Sequence, residues 1–158
     1  SVGLCLIEIY GYTHKNAKKY AEDMGIFLQM VNILRDIKED YKRGRSYIPL
    51  KELNSYGIKF ENLMEISKEN PESWKTFISE FLKKIQKYRI SAMKLIPMLN
   101  SDSQYSPRLM CEVYDAILKE AQKRRGDIIT NKLRLGFASK ISFALASFGV
   151  RLNQSEWI

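Results

Sequence analysis

The feature that most constrains the fold is the segment 14–43, whose apolar side chains recur with helical spacing. The repeat continues far beyond the usual length of a strand, so the segment predicts one long helix. Thr13 is a candidate cap at its start, and Gly44, followed by Pro49, predicts its end. Apolar residues cover several sides of this helix, which favours burial inside a helical bundle.

The rest of the chain shows helical periodicity as well, and no run alternates for long enough to predict a sheet. Asn70 followed by Pro71 predicts the start of another long helix that reaches about Pro97. Weaker signals predict a turn into a short helix and three further helical pieces, over 45–53, 60–67, 106–126 and 137–150. The predicted fold class is all-α, with one domain over 1–158 and no linker that divides it.

Composition excludes several classes of protein. The 158 residues are 45% hydrophobic and 28% charged, as in an ordinary globular domain. Cys5 and Cys111 lie far apart without zinc-type spacing, and His14 is the single histidine, so His- and Cys-based metal sites are excluded. The cysteine usage favours a reducing, cytoplasmic location, and no apolar run approaches the length of a membrane span.

The charge balance indicates an anionic partner. The net charge is +8, which suits nucleic acid, an acidic membrane face or a phosphorylated small molecule without choosing among them. The opening residues 1–10 lack an initiator Met and read as the inside of an apolar helix. We therefore expect a fragment whose upstream helices are missing.

A polar stripe runs along the predicted long helix. At about 100° per residue, five small or polar residues fall within an arc of roughly 80°: Gly25, Gln29, Asn32, Asp36 and Asp40. Two carboxylates one turn apart, with an amide oxygen one turn above, suit Mg²⁺ shared with substrate phosphates. Arg43 and Arg45 could then hold phosphate oxygens. The alternative is that the two aspartates are salt-bridged or solvated, as we expect for the nearby Lys38, Glu39 and Lys42.

The same residues carry a family resemblance. The spacing G-x3-Q-x2-N-x2-R-D-x3-D-x4-R-x-Y-x-P, from Gly25 to Pro49, resembles the second signature of the squalene/phytoene synthase family. The segment 114–118 and the basic stretch 132–134 resemble the last helices of that family. The resemblance therefore covers almost the whole chain.

The resemblance implies an isoprenoid-synthase-type helical bundle, present here as a partial bundle. It also implies a Mg²⁺-dependent prenyltransferase that joins two prenyl diphosphates head to head through a cyclopropyl diphosphate intermediate. Asn32, Asp36 and Asp40 would then be the catalytic and metal-binding residues. Substrate would be bound by Gln29, Arg35, Arg45, Tyr114 and Lys132, with Arg35 supporting the aspartates. Arg45 would bind phosphate or hold the turn, while a core tyrosine and a solvated lysine remain alternatives for Tyr114 and Lys132.

The resemblance leaves the substrate open. We favour a phytoene-type reaction of two geranylgeranyl diphosphates over a squalene- or dehydrosqualene-type reaction of two farnesyl diphosphates, and NADPH would be needed only for the squalene type. The family carries an earlier Asp-x-x-x-Asp motif on a facing helix, and no residues before Asp36 supply it. Residues 1–158 alone are therefore not expected to turn over substrate.

Two other classes of function compete with this interpretation. The clusters 38–43 and 123–125 suggest a basic nucleic-acid-binding module, but acidic residues interrupt the first cluster and no binding signature accompanies them, so we expect no nucleic-acid partner. A family member without catalysis is the second alternative. Basic charge and an apolar product also lead us to expect peripheral contact with a membrane face.

Overall fold

The computed structural model describes residues 2–124, 127–129 and 133 of the chain. This part is helical and contains no strand beyond an isolated bridge between Tyr12 and Leu99, in agreement with the all-α prediction. The helices are α1 Val2–Tyr10, α2 Ala17–Lys42, α3 Leu50–Ser55, α4 Leu63–Glu69, α5 Pro71–Ala92 and α6 Tyr105–Lys123. Short 3₁₀ turns lie at Phe60–Asn62, Ile96–Met98 and Ser101–Ser103.

Helix α2 is the centre of the fold. It packs against α1, α5 and α6, and its inward face is buried along its whole length. The buried residues recur at three- and four-residue spacing: Ala17, Ala21, Met24, Phe27, Met30, Val31, Leu34 and Ile37. The prediction of a long helix buried on several sides is confirmed.

Local signals end α2 and begin α5 where the sequence predicts. Gly44 has φ +67° and donates its N–H to the Tyr41 carbonyl, while the N–H of Arg45 donates to the Asp40 carbonyl. These two bonds form the reversal that glycine allows after a helix. At α5, the Asn70 side chain accepts a hydrogen bond from the N–H of Ser73, with Pro71 at the first helical position.

The start of α2 differs from the prediction. The helix begins at Ala17, and Asn16 precedes it without a side-chain cap. The hydroxyl of Thr13 instead donates to the Met98 carbonyl, and the Thr13 N–H donates to the same oxygen at 2.9 Å. Thr13 therefore joins the α1–α2 connection to the α5–α6 connection, and its prediction as a cap is wrong.

The end of α5 also differs. The helix stops at Ala92 rather than near Pro97, and a 3₁₀ turn over Ile96–Met98 follows. Proline has no N–H to continue the helical ladder, and it disfavours helical backbone at the residue before it. Helix α6 ends at Lys123, close to its predicted end, whereas the predicted helix over 137–150 lies outside the described residues.

Helices α1 and α2 approach each other closely at Gly3. A Cβ atom at Gly3 would lie 2.9 Å from the backbone oxygen of Ala21, so the contact requires a residue without a side chain. No helix among the described residues combines the length and the hydropathy needed to cross a bilayer. The described helices therefore form a bundle around α2, which places the polar stripe between the inward face and the solvent.

Candidate functional site

The polar stripe of α2 is continuous but unevenly covered. Asn32, Asp36 and Asp40 are half-buried, whereas Gln29 is exposed. A Cβ atom at Gly25 would meet no described atom within 4 Å. Ile26, the next residue along α2, is 40% exposed. The stripe thus runs from an open end near Gly25 to a more enclosed end at the aspartates.

Arg35 holds the carboxylate of Asp36 through two hydrogen bonds. Nε donates to Oδ1 at 3.0 Å, and a terminal nitrogen donates to Oδ2 at 2.5 Å. These bonds are the main reason why the pKa of Arg35 is raised, and the charges of Asp36, Tyr114 and Glu39 add to the effect against desolvation. Two parallel bonds fix the plane of the Asp36 carboxylate relative to the guanidinium.

Asn32 presents an enclosed oxygen to the stripe. Its Oδ1 atom is buried and has no hydrogen-bond partner among the described residues. An enclosed amide oxygen without a donor is costly unless something else supplies one. One helical turn separates Asn32 from Asp36, and another separates Asp36 from Asp40, so their Cβ atoms are about 5–6 Å apart in each step.

These oxygens fit a hard divalent cation better than a soft one. The set consists of an amide and two carboxylates, which are the ligands that such cations prefer. No group of three or more His, Cys, Asp or Glu side chains that could hold a metal lies within the described ranges. One amide and two carboxylates would leave the rest of a cation's shell to water and to phosphate oxygens.

Asp40 and Arg45 are neighbours because of the turn that ends α2. The backbone N–H of Arg45 donates to the Asp40 carbonyl at 2.9 Å, and both residues line a small pocket with Tyr47 and Ile48. Arg45 is exposed, and Tyr47 is 52% exposed. The turn thus brings a cationic side chain to the enclosed end of the stripe.

Tyr114 of α6 faces the same helix. Its ring meets the ring of Phe27 edge to face, with centroids 6.4 Å apart. Tyr114 therefore packs on α2, about two helical turns before Arg35. Lys132, the remaining predicted site residue, lies outside the described residues.

Glu39 is less exposed than the sequence predicts. It is half-buried, its Oε2 atom is enclosed, and its charge raises the pKa of Arg35, so the expectation of a solvated surface residue is wrong. The signal was its position on the helix, where about 100° per residue brings it within roughly 20° of Asn32.

Comparison with known proteins identifies relatives for nearly the whole chain. A family model described as squalene/phytoene synthase matches residues 1–139. The chain is 27% identical to a chloroplastic phytoene synthase of an Oncidium hybrid cultivar over 155 residues, which are 94% of this chain and 37% of the relative. It is 29% identical to a chloroplastic phytoene synthase of Daucus carota over 89% of this chain and 36% of the relative.

A bacterial relative matches a shorter and more similar region. A phytoene synthase of Mycobacterium tuberculosis is 41% identical over 59 residues, which are 37% of this chain and 20% of the relative. Across these proteins, the chain spans at most 37% of the relative's length.

Proposed function

Because this chain belongs to the squalene/phytoene synthase family, we propose that it is part of a magnesium-dependent prenyltransferase. The enzyme would join two prenyl diphosphates head to head through a cyclopropyl diphosphate intermediate. The proposed substrate is geranylgeranyl diphosphate, because the relatives at 27% and 29% identity are named phytoene synthases. The structural observation that carries the proposal is the enclosed Oδ1 of Asn32, in line with Asp36 and Asp40. A cation bound beside the aspartates would supply a partner for this oxygen, which supports the proposal.

The residues of the stripe would have different roles. Asn32, Asp36 and Asp40 would hold Mg²⁺, which when bound would neutralise charge on the leaving diphosphate. Arg35 keeps the Asp36 carboxylate in one orientation, since a bidentate guanidinium restricts its rotation. Gln29 would line the substrate cavity at the open end of the stripe.

Cationic and phenolic side chains would bind the rest of the diphosphate. Arg45 is exposed beside Asp40 and would donate to phosphate oxygens. Tyr114, which packs on Phe27, would add a hydroxyl donor from α6. Lys132 would supply further positive charge, an expectation that comes from the family resemblance alone.

Product analysis tests the proposal. The full-length gene product is incubated with Mg²⁺ and, separately, with geranylgeranyl and farnesyl diphosphate, and hydrocarbons are identified by mass spectrometry. We expect a forty-carbon product that disappears in Asp36→Asn and persists in Asp102→Asn, a matched change at an exposed aspartate outside α2. Omission of Mg²⁺ should also abolish the product.

Other results of the product analysis would change the proposed reaction. A thirty-carbon product from farnesyl diphosphate would replace the phytoene-type reaction with a squalene- or dehydrosqualene-type reaction, and a dependence on NADPH would identify the squalene type. No product from either substrate, with a normally folded protein, would contradict the proposal and favour a non-catalytic family member.

The membrane part of the proposal is tested separately. The net charge of +8 and the apolar character of the proposed product support peripheral binding to an anionic membrane face. Co-sedimentation with liposomes that contain anionic lipid should retain the protein, and salt should release it. Failure to bind anionic liposomes would overturn this part without affecting the reaction.

A further inference from the structure

One turn near the end of α5 forms side-chain hydrogen bonds with two other helices. The hydroxyl of Ser91 donates to Oδ2 of Asp23 on α2, at 2.5 Å. Two residues earlier, Arg89 donates two hydrogen bonds to the carboxylate of Asp115 on α6, from Nε to Oδ1 and from a terminal nitrogen to Oδ2. The contact with α2 is thus a single hydrogen bond, whereas the contact with α6 is bidentate.

The Arg89–Asp115 pair constrains the rotation of α6. Its side chains are largely removed from solvent, with 28% of Arg89 and 15% of Asp115 exposed. Two parallel hydrogen bonds between planar groups permit one orientation, whereas a single contact permits several. A carboxylate this enclosed also cannot leave its partner without a desolvation cost.

Tyr114 and Asp115 are consecutive on α6 and point about 100° apart around the helix. Asp115 faces α5, and Tyr114 therefore faces α2, where its ring packs edge to face on Phe27. Phe27 lies on α2, the helix that also carries Arg35 and Asp36. A rotation of α6 would move the Tyr114 ring away from Phe27.

We propose that Arg89 and Asp115 form a positioning pair, which sets the rotation of α6 and thereby holds Tyr114 against Phe27 on the helix that carries the stripe. Neither residue is placed in contact with substrate. The inference rests on the proposed function, because its main measurement is diphosphate binding at the stripe of α2. It adds two residues outside the signature to the machinery of that site.

A double-mutant cycle tests the proposal in the full-length protein. Binding of inorganic pyrophosphate with Mg²⁺ is measured by calorimetry for wild type, Asp115→Asn, Tyr114→Phe and the double variant. We expect Asp115→Asn to weaken binding by about fivefold or more, and by less than about twofold in the Tyr114→Phe background. If Asp115→Asn does not fold, Arg89→Lys, which keeps the charge but loses the fork, takes its place.

A matched control separates positioning from general loss of stability. Ser91→Ala removes the bond to Asp23 on the same turn of α5, and we expect it to lower the melting temperature while leaving pyrophosphate affinity within about twofold. A normal affinity in Asp115→Asn would overturn the proposal. An equal effect of Asp115→Asn in the presence and absence of the Tyr114 hydroxyl would overturn it too.

A second measurement does not depend on ligand binding. In protein labelled with fluorotyrosine, the ¹⁹F signal of Tyr114 is assigned by its absence in Tyr114→Phe. It should shift in Asp115→Asn and stay in place in Ser91→Ala. If wild type binds no pyrophosphate, the proposed function fails, and this signal alone decides the positioning role: an unshifted signal in Asp115→Asn would refute it.

Discussion

Arg35 and Asp36 are consecutive residues of α2, and the guanidinium of Arg35 donates two hydrogen bonds, of 3.0 and 2.5 Å, to the carboxylate of Asp36. About a third of Arg35 and a quarter of Asp36 remain exposed. A pair this accessible contributes little to stability, about 1 kcal/mol at most. Its effect is on the orientation of Asp36.

The first prediction concerns this orientation. Arg35→Lys keeps the positive charge but loses the bidentate fork, so the Asp36 carboxylate is held less firmly in its orientation. We expect the Mg²⁺ concentration for half-maximal activity to rise about three- to tenfold, with little change in melting temperature. Lys19→Arg, a change at an exposed position of the same helix, is the control. An unchanged Mg²⁺ requirement in Arg35→Lys would show that Asp36 needs no such support.

The second prediction compares the effect on stability of alanine substitutions at two glycines, Gly25 and Gly3. Nothing described lies within 4 Å of a Cβ at Gly25, so Gly25→Ala should stabilise α2 by about 0.5–1 kcal/mol. Gly3→Ala would place its methyl 2.9 Å from the Ala21 oxygen and should destabilise by about 1–3 kcal/mol. Urea denaturation of both variants measures the free energy of unfolding, which should rise in Gly25→Ala and fall in Gly3→Ala.

Activity supplies a further measurement for Gly25. Gly25→Ala places a methyl on the stripe one turn from Gln29, so we expect turnover to fall although stability rises. Glu22→Ala, at an exposed position of α2, should leave turnover unchanged. Full activity in Gly25→Ala would remove the open end of the stripe from the substrate cavity.

The third prediction concerns Cys111, whose pKa is raised to about 11, mainly by burial and further by the charge of Asp115. Between about pH 9 and 11 the unfolded thiol ionises while the folded thiol keeps its proton. Stability should therefore fall as pH rises through this window, by about 2–3 kcal/mol. Below about pH 9 the thiol is protonated in both the folded and the unfolded state, so it does not contribute to the pH dependence of stability.

Urea denaturation at pH 8 and pH 11 for wild type and Cys111→Ala measures this contribution. Lysine and tyrosine side chains also titrate in the window, so the difference between the two proteins is the relevant quantity. Cys111→Ala should lose less stability than wild type on going to pH 11. Parallel losses in the two proteins would contradict the assignment of the effect to this thiol.

The fourth prediction compares two asparagines that precede helices. The Asn70 side chain accepts the N–H of Ser73, so Asn70→Ala should destabilise the protein by about 1 kcal/mol. Asn62 precedes α4 without a side-chain cap, and its enclosed Oδ1 has no hydrogen-bond partner among the described residues. Asn62→Ala should therefore be neutral or stabilising. Equal losses in thermal unfolding would contradict the role of the Asn70 cap.

The candidate site was predictable as a set of residues but not as an environment. Helical spacing alone aligned Asn32, Asp36 and Asp40 on one face of α2. It did not show that Gln29, within the stripe, is exposed, whereas Glu39, beside the stripe, is half-buried. Which side of the stripe is covered depends on the helices that pack there, and their placement is not encoded in the spacing of α2.

By itself, the sequence determined the all-helical class, the long buried α2, its end at Gly44 and the start of α5 at Asn70 and Pro71, because each depends on side chains and backbone within a few residues. Only the tertiary structure decided that Thr13, the predicted cap, bonds instead to Met98, 85 residues away. It also decided that Arg89 pairs with Asp115 and that Tyr114 faces Phe27. These contacts join distant segments, and their geometry exists only once the helices have packed.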